Sequence, residues 1–437
     1  MCGLNFYAAN VIITVTQNSG LYVIVSNKNI FTLMIHYGRQ ISVLSVLTLS
    51  VAVLSRCVAD KGKPGDPRGK VYAGSASCRQ CHQAIYDSVL QTAHYNATAP
   101  ANAKTVLGSF EAGHNNFAYE GGINVKMEKR DSGLYQVLYV DGKEELASRF
   151  DITFGVKNGQ TCLYWYKNNT YQLPVSYYTS VKQWGTSPGF SIMLPDFSRL
   201  VGKNCFECHS SYVKGIEHTT GGTNSSFSAK EEREAMDKNT LVYGIDCERC
   251  HGPAAEHVSF QLDNPGNKTA SYIISTGSLN GQQKLDRCAV CHAGNDKEKL
   301  KSRFLFKPGD LLTDYFNEGT VSRSMDVHGN QYGLLSQSKC FTGSTTLSCT
   351  SCHNPHTNAS KSLSFYSQKC ISCHAEASNI FCTVKTSENV VLKNNCIDCH
   401  MPEQPSSVIN FQLSGNAERH YQLFRTHQIG IYPAKEK

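Results

Sequence analysis

The chain has 437 residues and a formal charge of +7, from 42 lysines and arginines against 35 acids. The cations are scattered and never reach a run of five, which speaks against a nucleic-acid partner. Charged residues make up 18% and hydrophobic ones 40%, a share that shrinks once 19 cysteines are set aside. A conventional aliphatic core would therefore be thin, in a chain long enough for two or three domains.

The first 57 residues read as a signal region. Residues 1–33 have no clear charged start, whereas Met34 begins a better one: Arg39 supplies positive charge and Val43–Leu54 is an apolar stretch of twelve. That length suits a secretory segment and is short for a membrane span. Cys57, in LSRC, resembles a lipid-acceptor cysteine, although Arg56 stands where a small residue is usual. Lipid anchoring at Cys57 and plain cleavage near Ala59 are the two alternatives, and both place the protein in the periplasm or on the outer membrane or cell surface. Residues 58–71, with KGKPGDPRGK, form a linker.

Residues 72–109 carry the first CxxCH motif, CRQCH, followed by QAIYDSVLQTAHY, a predicted helix that ends on His94. Residues 110–200 change character. Runs such as YQVLYV and QTCLYWY alternate apolar and polar residues between DSG, DG, NG and NN turns, which predicts five or six strands in hairpins. Residues 201–437 hold six more CxxCH motifs and a tail that returns a ligand to them.

The seven motifs use Cys78, Cys81 and His82; Cys205, Cys208 and His209; Cys247, Cys250 and His251; and Cys288, Cys291 and His292. Cys349, Cys352 and His353, then Cys370, Cys373 and His374, then Cys396, Cys399 and His400 complete the set. Composition alone predicts roughly 0.03 copies in a random chain of this length. CxxCH is the attachment signature of c-type haem. Two thiols add across the two vinyl groups of one porphyrin edge, and the histidine that follows swings beneath the ring to bind iron from the proximal side. Zinc sites and redox disulfides both use CxxC pairs, but neither gives a reason for a histidine after every pair. The reading is seven covalently attached haems c.

Each iron has a second axial position. Nine histidines lie outside the motifs, and His36 precedes the expected mature start. Candidates for distal ligands are His94, His218, His257, His328, His356, His420 and His427, with His114 and His420 the expected spares. His257 lies six residues past His251, and His356 three past His353, too close to wrap the same haem, so each is assigned to a neighbour. Cys162, Cys340 and Cys382 are left over; Cys340–Cys382 is one possible disulfide, free thiols the alternative.

The phrases AGSASCRQCHQAIYDSVLQTAH, QLPVSYYTSVKQWGTSPGF, GIDCERCHGPAAEHV, LSCTSCHNPH and CIDCHMP resemble the bacterial multihaem cytochromes c related to the tetrahaem cytochrome of ammonia oxidisers and, more distantly, to hydroxylamine oxidoreductase. The resemblance covers roughly Tyr72 to Pro433. It implies a mostly α and irregular fold around stacked haems, with a β-rich insertion between the first and second. The tail LFRTHQIGIYP is similar to the segment that carries a distal histidine in that family, which favours His427 over His420. It also implies electron transfer with quinol dehydrogenases or other cytochromes as partners. The rival is an oxidoreductase acting on nitrite, hydroxylamine or a sulfur oxyanion, which would need one open iron; no CxxCK motif, the mark of the related nitrite reductases, is present.

Overall fold

The computed structural model describes residues 7–8, 11–12, 65–216, 227–317, 325–375, 382 and 394–432. The chain divides into two compact units, Met1–Gly65 and Asp66–Lys437. In the first, Tyr7–Ala8 pairs with Val11–Ile12 as a short antiparallel hairpin. Cys57 and His218 lie outside the described residues. Among the described residues no helix is long and apolar enough to cross a membrane.

The second unit is not mainly α, contrary to the expectation from sequence. Helix and strand contribute about equally, and the strands form several antiparallel sheets. Two reasons account for the difference. Several of the helices that carry the motifs are short, because a CxxCH needs only one turn to present its groups: Cys247–His251, Cys349–Cys352 and Ile397–His400 span five, four and four residues. The alternating sequence also continues beyond the insertion. Ser210–Gly215 pairs with Met236–Tyr243, and Glu403–Gln412 with Arg419–Arg425.

The β-rich region holds ten strands between Thr98 and Thr186, more than the five or six expected, because turns as tight as Asp141–Gly142 split the alternating runs more finely. Four strands make a meander from Asn116 to Arg149. The other six join Leu200–Val201 in a seven-stranded sheet centred on Gly159–Tyr166. The inner faces of the two sheets share one core, with Phe117, Val125 and Met127 from the meander and Cys162, Val175 and Trp184 from the larger sheet. Successive strand residues point to opposite faces. So Cys162 enters that core while Leu163 enters a second one, behind the sheet, with Ile152, Phe154, Phe206, Val213 and Met236. Phe206 belongs to the CFECH motif, so the β-rich region is bolted directly onto the second attachment segment. A third core, Ala289, Val290, Ala293, Phe306, Leu312, Tyr315 and Phe316, backs the CAVCH helix Gly281–His292. Beyond residue 336 the buried apolar side chains among the described residues shrink to Ile397 and Phe411.

Candidate haem attachment sites

The thiols of the seven motifs are not packed as ordinary cysteines. Free cysteine is among the most buried residue types. Here all fourteen motif cysteines are exposed or half-exposed, while Cys162, outside the motifs, is buried. The motif thiols therefore border spaces the side chains do not fill. One such space, about 250 Å³ in volume, is lined by Cys352, His353, Phe365 and Lys369. Deep enclosure and solvent access coexist at these sites. Burial pushes the Cys250 thiol up to about 12 although water still reaches it.

The imidazoles make a sharper test. Two metal–imidazole bonds of about 2 Å each, end to end through one metal, put the two ring centres about 6.3 Å apart. His94 and His292 have centres 6.1 Å apart, His251 and His356 5.8 Å, and His353 and His427 6.0 Å. Each pair joins a motif histidine to one from a distant part of the chain. Burial pushes His251, His292 and His427 down to about 4, and His94, His353 and His356 also below the usual histidine value. All are neutral at pH 7, the form that ligates metal. His209 is likewise pushed to about 4, by burial first and then by the nearby His328. The donor set, the spacing and the spaces all fit haem.

Local structure explains how the remote histidines arrive. The Ile245 N–H donates to the His94 carbonyl at 2.8 Å. Next to it Gly244 has φ +62°, and a Cβ there would lie 1.8 Å from the Tyr95 carbonyl oxygen, so only glycine admits the contact. His356 sits in the loop after the fifth motif, which is tied to the first: Ser88 Oγ donates to the His356 carbonyl at 2.7 Å, and Asn358 Nδ2 to Gln91 O at 2.6 Å. His427 leaves the Glu403–Arg425 hairpin, and its carbonyl accepts from Ser338 Oγ at 3.1 Å. His328 follows Asp326, whose carboxylate accepts from the His328 N–H at 2.8 Å and from Ser406 and Ser407 of the hairpin.

The other predicted residues are placed differently. His257 and His400 each fix one ring nitrogen on a carbonyl, Nδ1 to Ser271 O and to Gly430 O, both at 2.7 Å. That arrangement orients the ring and leaves the other nitrogen for a metal. Among the described residues no second imidazole faces His82, His257 or His400 in a ring contact. His114 lies in an exposed turn of the β-rich region. His420 stacks on Phe411, which stacks on Tyr178, and its Nε2 is buried without a partner. Cys340 and Cys382 are free thiols.

Sequence reasoning missed a charged bracket between the first and third motifs. Glu248, the second residue of CERCH, accepts from the backbone N–H groups of Ala73, Gly74 and Ala254 at 2.8–2.9 Å. Arg68 closes the bracket on Asp66, Asp246 and Glu248 at 2.8, 2.8 and 3.1 Å. Burial pushes Glu248 up, and the Ala73 N–H and Arg68 pull against it. Nothing local marks the bracket, since the contacts that join its two halves, such as Arg68 to Glu248, span about 180 positions.

No family model matches the chain. The multiheme cytochrome MtrA of Shewanella baltica (strain OS185) is 23% identical over 190 residues, 40% of this chain and 52% of MtrA. The chain thus matches about half the length of that relative. The crystal structure of the outer cell wall cytochrome OcwA superposes with a TM-score of 0.47 and 17% identity, covering 79% of each chain. The ammonia-oxidiser family is not singled out by either. The likeness to MtrA, together with seven CxxCH motifs, supports a multihaem c-type cytochrome.

Proposed function

We propose that the chain is an exported cytochrome with seven haems c, which carries electrons between redox partners such as a quinol dehydrogenase or another cytochrome. The observation that carries this reading is the set of imidazole pairs about 6 Å apart. The fourteen motif cysteines would hold the groups by thioether bonds, and His82, His209, His251, His292, His353, His374 and His400 would bind the irons proximally. His94, His356 and His427 would complete the sites of His292, His251 and His353, and His328 that of His209. When bound, haem supplies a one-electron couple. At those four sites the protein would supply two imidazoles per iron, which close the metal to substrate and favour electron transfer over chemistry at the metal. Export accords with the apolar stretch Val43–Leu54, with Cys57 as a lipid anchor or cleavage near Ala59.

A second reading, an oxidoreductase with one open iron, is favoured by His82, which is exposed and faces no imidazole among the described residues. Electron paramagnetic resonance of the oxidised protein separates the two. The electron-transfer reading expects low-spin ferric signals throughout; a stoichiometric high-spin signal sinks it and favours the enzyme. Mass measurement must first show covalently added haem.

A further inference from the structure

We propose that the attachment segments, numbered from the N-terminus, form a branched line, running 1–3–4–5–6–7 with the second joined at the fourth. The proposal rests on the multihaem reading above. Sequence order would place the second segment between the first and third. The thiols say otherwise. Cys78 of the first segment lies beside Cys247 of the third. The bracket of Arg68 and Glu248 reinforces that junction, and Ser75 Oγ accepts from the Cys247 N–H at 3.4 Å. Cys250 of the third lies near both Cys288 and Cys291 of the fourth. Cys288 in turn lies beside Cys349 of the fifth.

Beyond the fifth, Cys352 lies near Cys373 of the sixth. Cys370 lies near Cys396 of the seventh, whose N–H donates to Ser367 Oγ at 2.9 Å. The second segment stands off this line. Its Cys208 lies beside Cys291, the other thiol of the fourth segment, and Cys291 Sγ lies 3.9 Å from the Glu207 carbonyl. Arg249 of the third segment also donates to that carbonyl at 3.2 Å, so the branch leans on the third while its thiol meets the fourth. The fourth segment thus spends one thiol on the main line and the other on the branch.

Exposure follows the same plan. Cys81 and His82 at one end, and Cys373, His374 and Cys399 at the other, face solvent. The branch is partly covered: Phe154 of the seven-stranded sheet lies 5.1 Å from both the Phe206 and the His209 rings, although Cys205 still faces solvent. The β-rich region therefore sits over the side arm and leaves both ends open to partners. An electron taken from a reduced partner at one end and given to an oxidised partner at the other leaves all seven sites unchanged, with no proton or atom transferred.

Cryo-electron microscopy of the haem-loaded protein tests the plan. The fourth iron should have three close iron neighbours, the second, third and fifth, and the second should have the fourth as its nearest. A second iron lying nearest the first or third overturns the branch and leaves a seven-haem cytochrome intact. A preparation without covalent haem sinks the reading beneath it instead. Stopped-flow reduction by a partner-sized donor adds a kinetic arm. The variant C205A/C208A should lose one haem in mass and still reduce its other six in one phase. The variant C288A/C291A should lose one haem and split reduction into separate fast and slow phases. A split in the first variant, or none in the second, overturns the proposal; if either fails to fold, the iron positions decide.

Discussion

Glu248→Ala removes the acceptor shared by three backbone N–H groups, Ala73, Gly74 and Ala254, and one of the three carboxylates around Arg68. Glu248 is 3% exposed, so water cannot simply take its place. A buried donor left unsatisfied costs about 1–3 kcal/mol, and three of them together at least about 3 kcal/mol. Arg68 keeps Asp66 and Asp246, so no further charge penalty is added. Amide hydrogen exchange reads the local result. At about 1.4 kcal/mol per decade, protection at Ala73, Gly74 and Ala254 should fall about a hundredfold or more. Glu248→Gln keeps one acceptor oxygen and should lose less. Exchange at the three amides that stays within about tenfold of the parent would refute the claim that this carboxylate fastens the first segment to the third.

Three further outcomes are expected. His94→Ala, His356→Ala and His427→Ala should each convert about one-seventh of the low-spin ferric signal to high-spin, since each removes one of two axial ligands from one iron; His420→Ala should leave the spectrum unchanged, and a high-spin signal from that variant would reassign the residue. Asp66 has its pKa held below the usual 3.8, with burial raising it and the Arg68 hydrogen bonds and charge more than offsetting that. Its stabilisation is present above the unfolded value and is lost as pH falls through the folded one, so proteolysis before Cys78 should quicken between about pH 5 and about pH 3, and Asp66→Asn should abolish that dependence. Burial pushes the Cys162 thiol far above its usual value. Alkylation of the native protein should therefore label Cys382 and Cys340 and spare Cys162; failure to label the first two until reductant is added would reinstate the disulfide.

The attachment motifs were legible because covalent chemistry fixes their spacing locally: Cys247, Cys250 and His251 must fall within one turn whatever surrounds them. The β-rich region was legible from alternation and from turn residues such as Asp141 and Gly142. The same alternation in Met236–Tyr243 and Glu403–Gln412 went unused, because the density of motifs argued for helices and loops, and the fold class was misjudged as a result. The pairing of His356 with His251, or of Glu248 with Ala73, could not be read from sequence. Such contacts depend on which distant segments meet, and no local spacing encodes that.

The pairing of His353 with His427 means that a segment far downstream closes a site in the middle of the line. The protein is laced, not strung. During synthesis the fifth site must wait, half made, until the stretch beyond Arg425 has emerged and threaded back past Ser338. A stop codon after Arg425 would spare every thioether and still cut the wire at its centre.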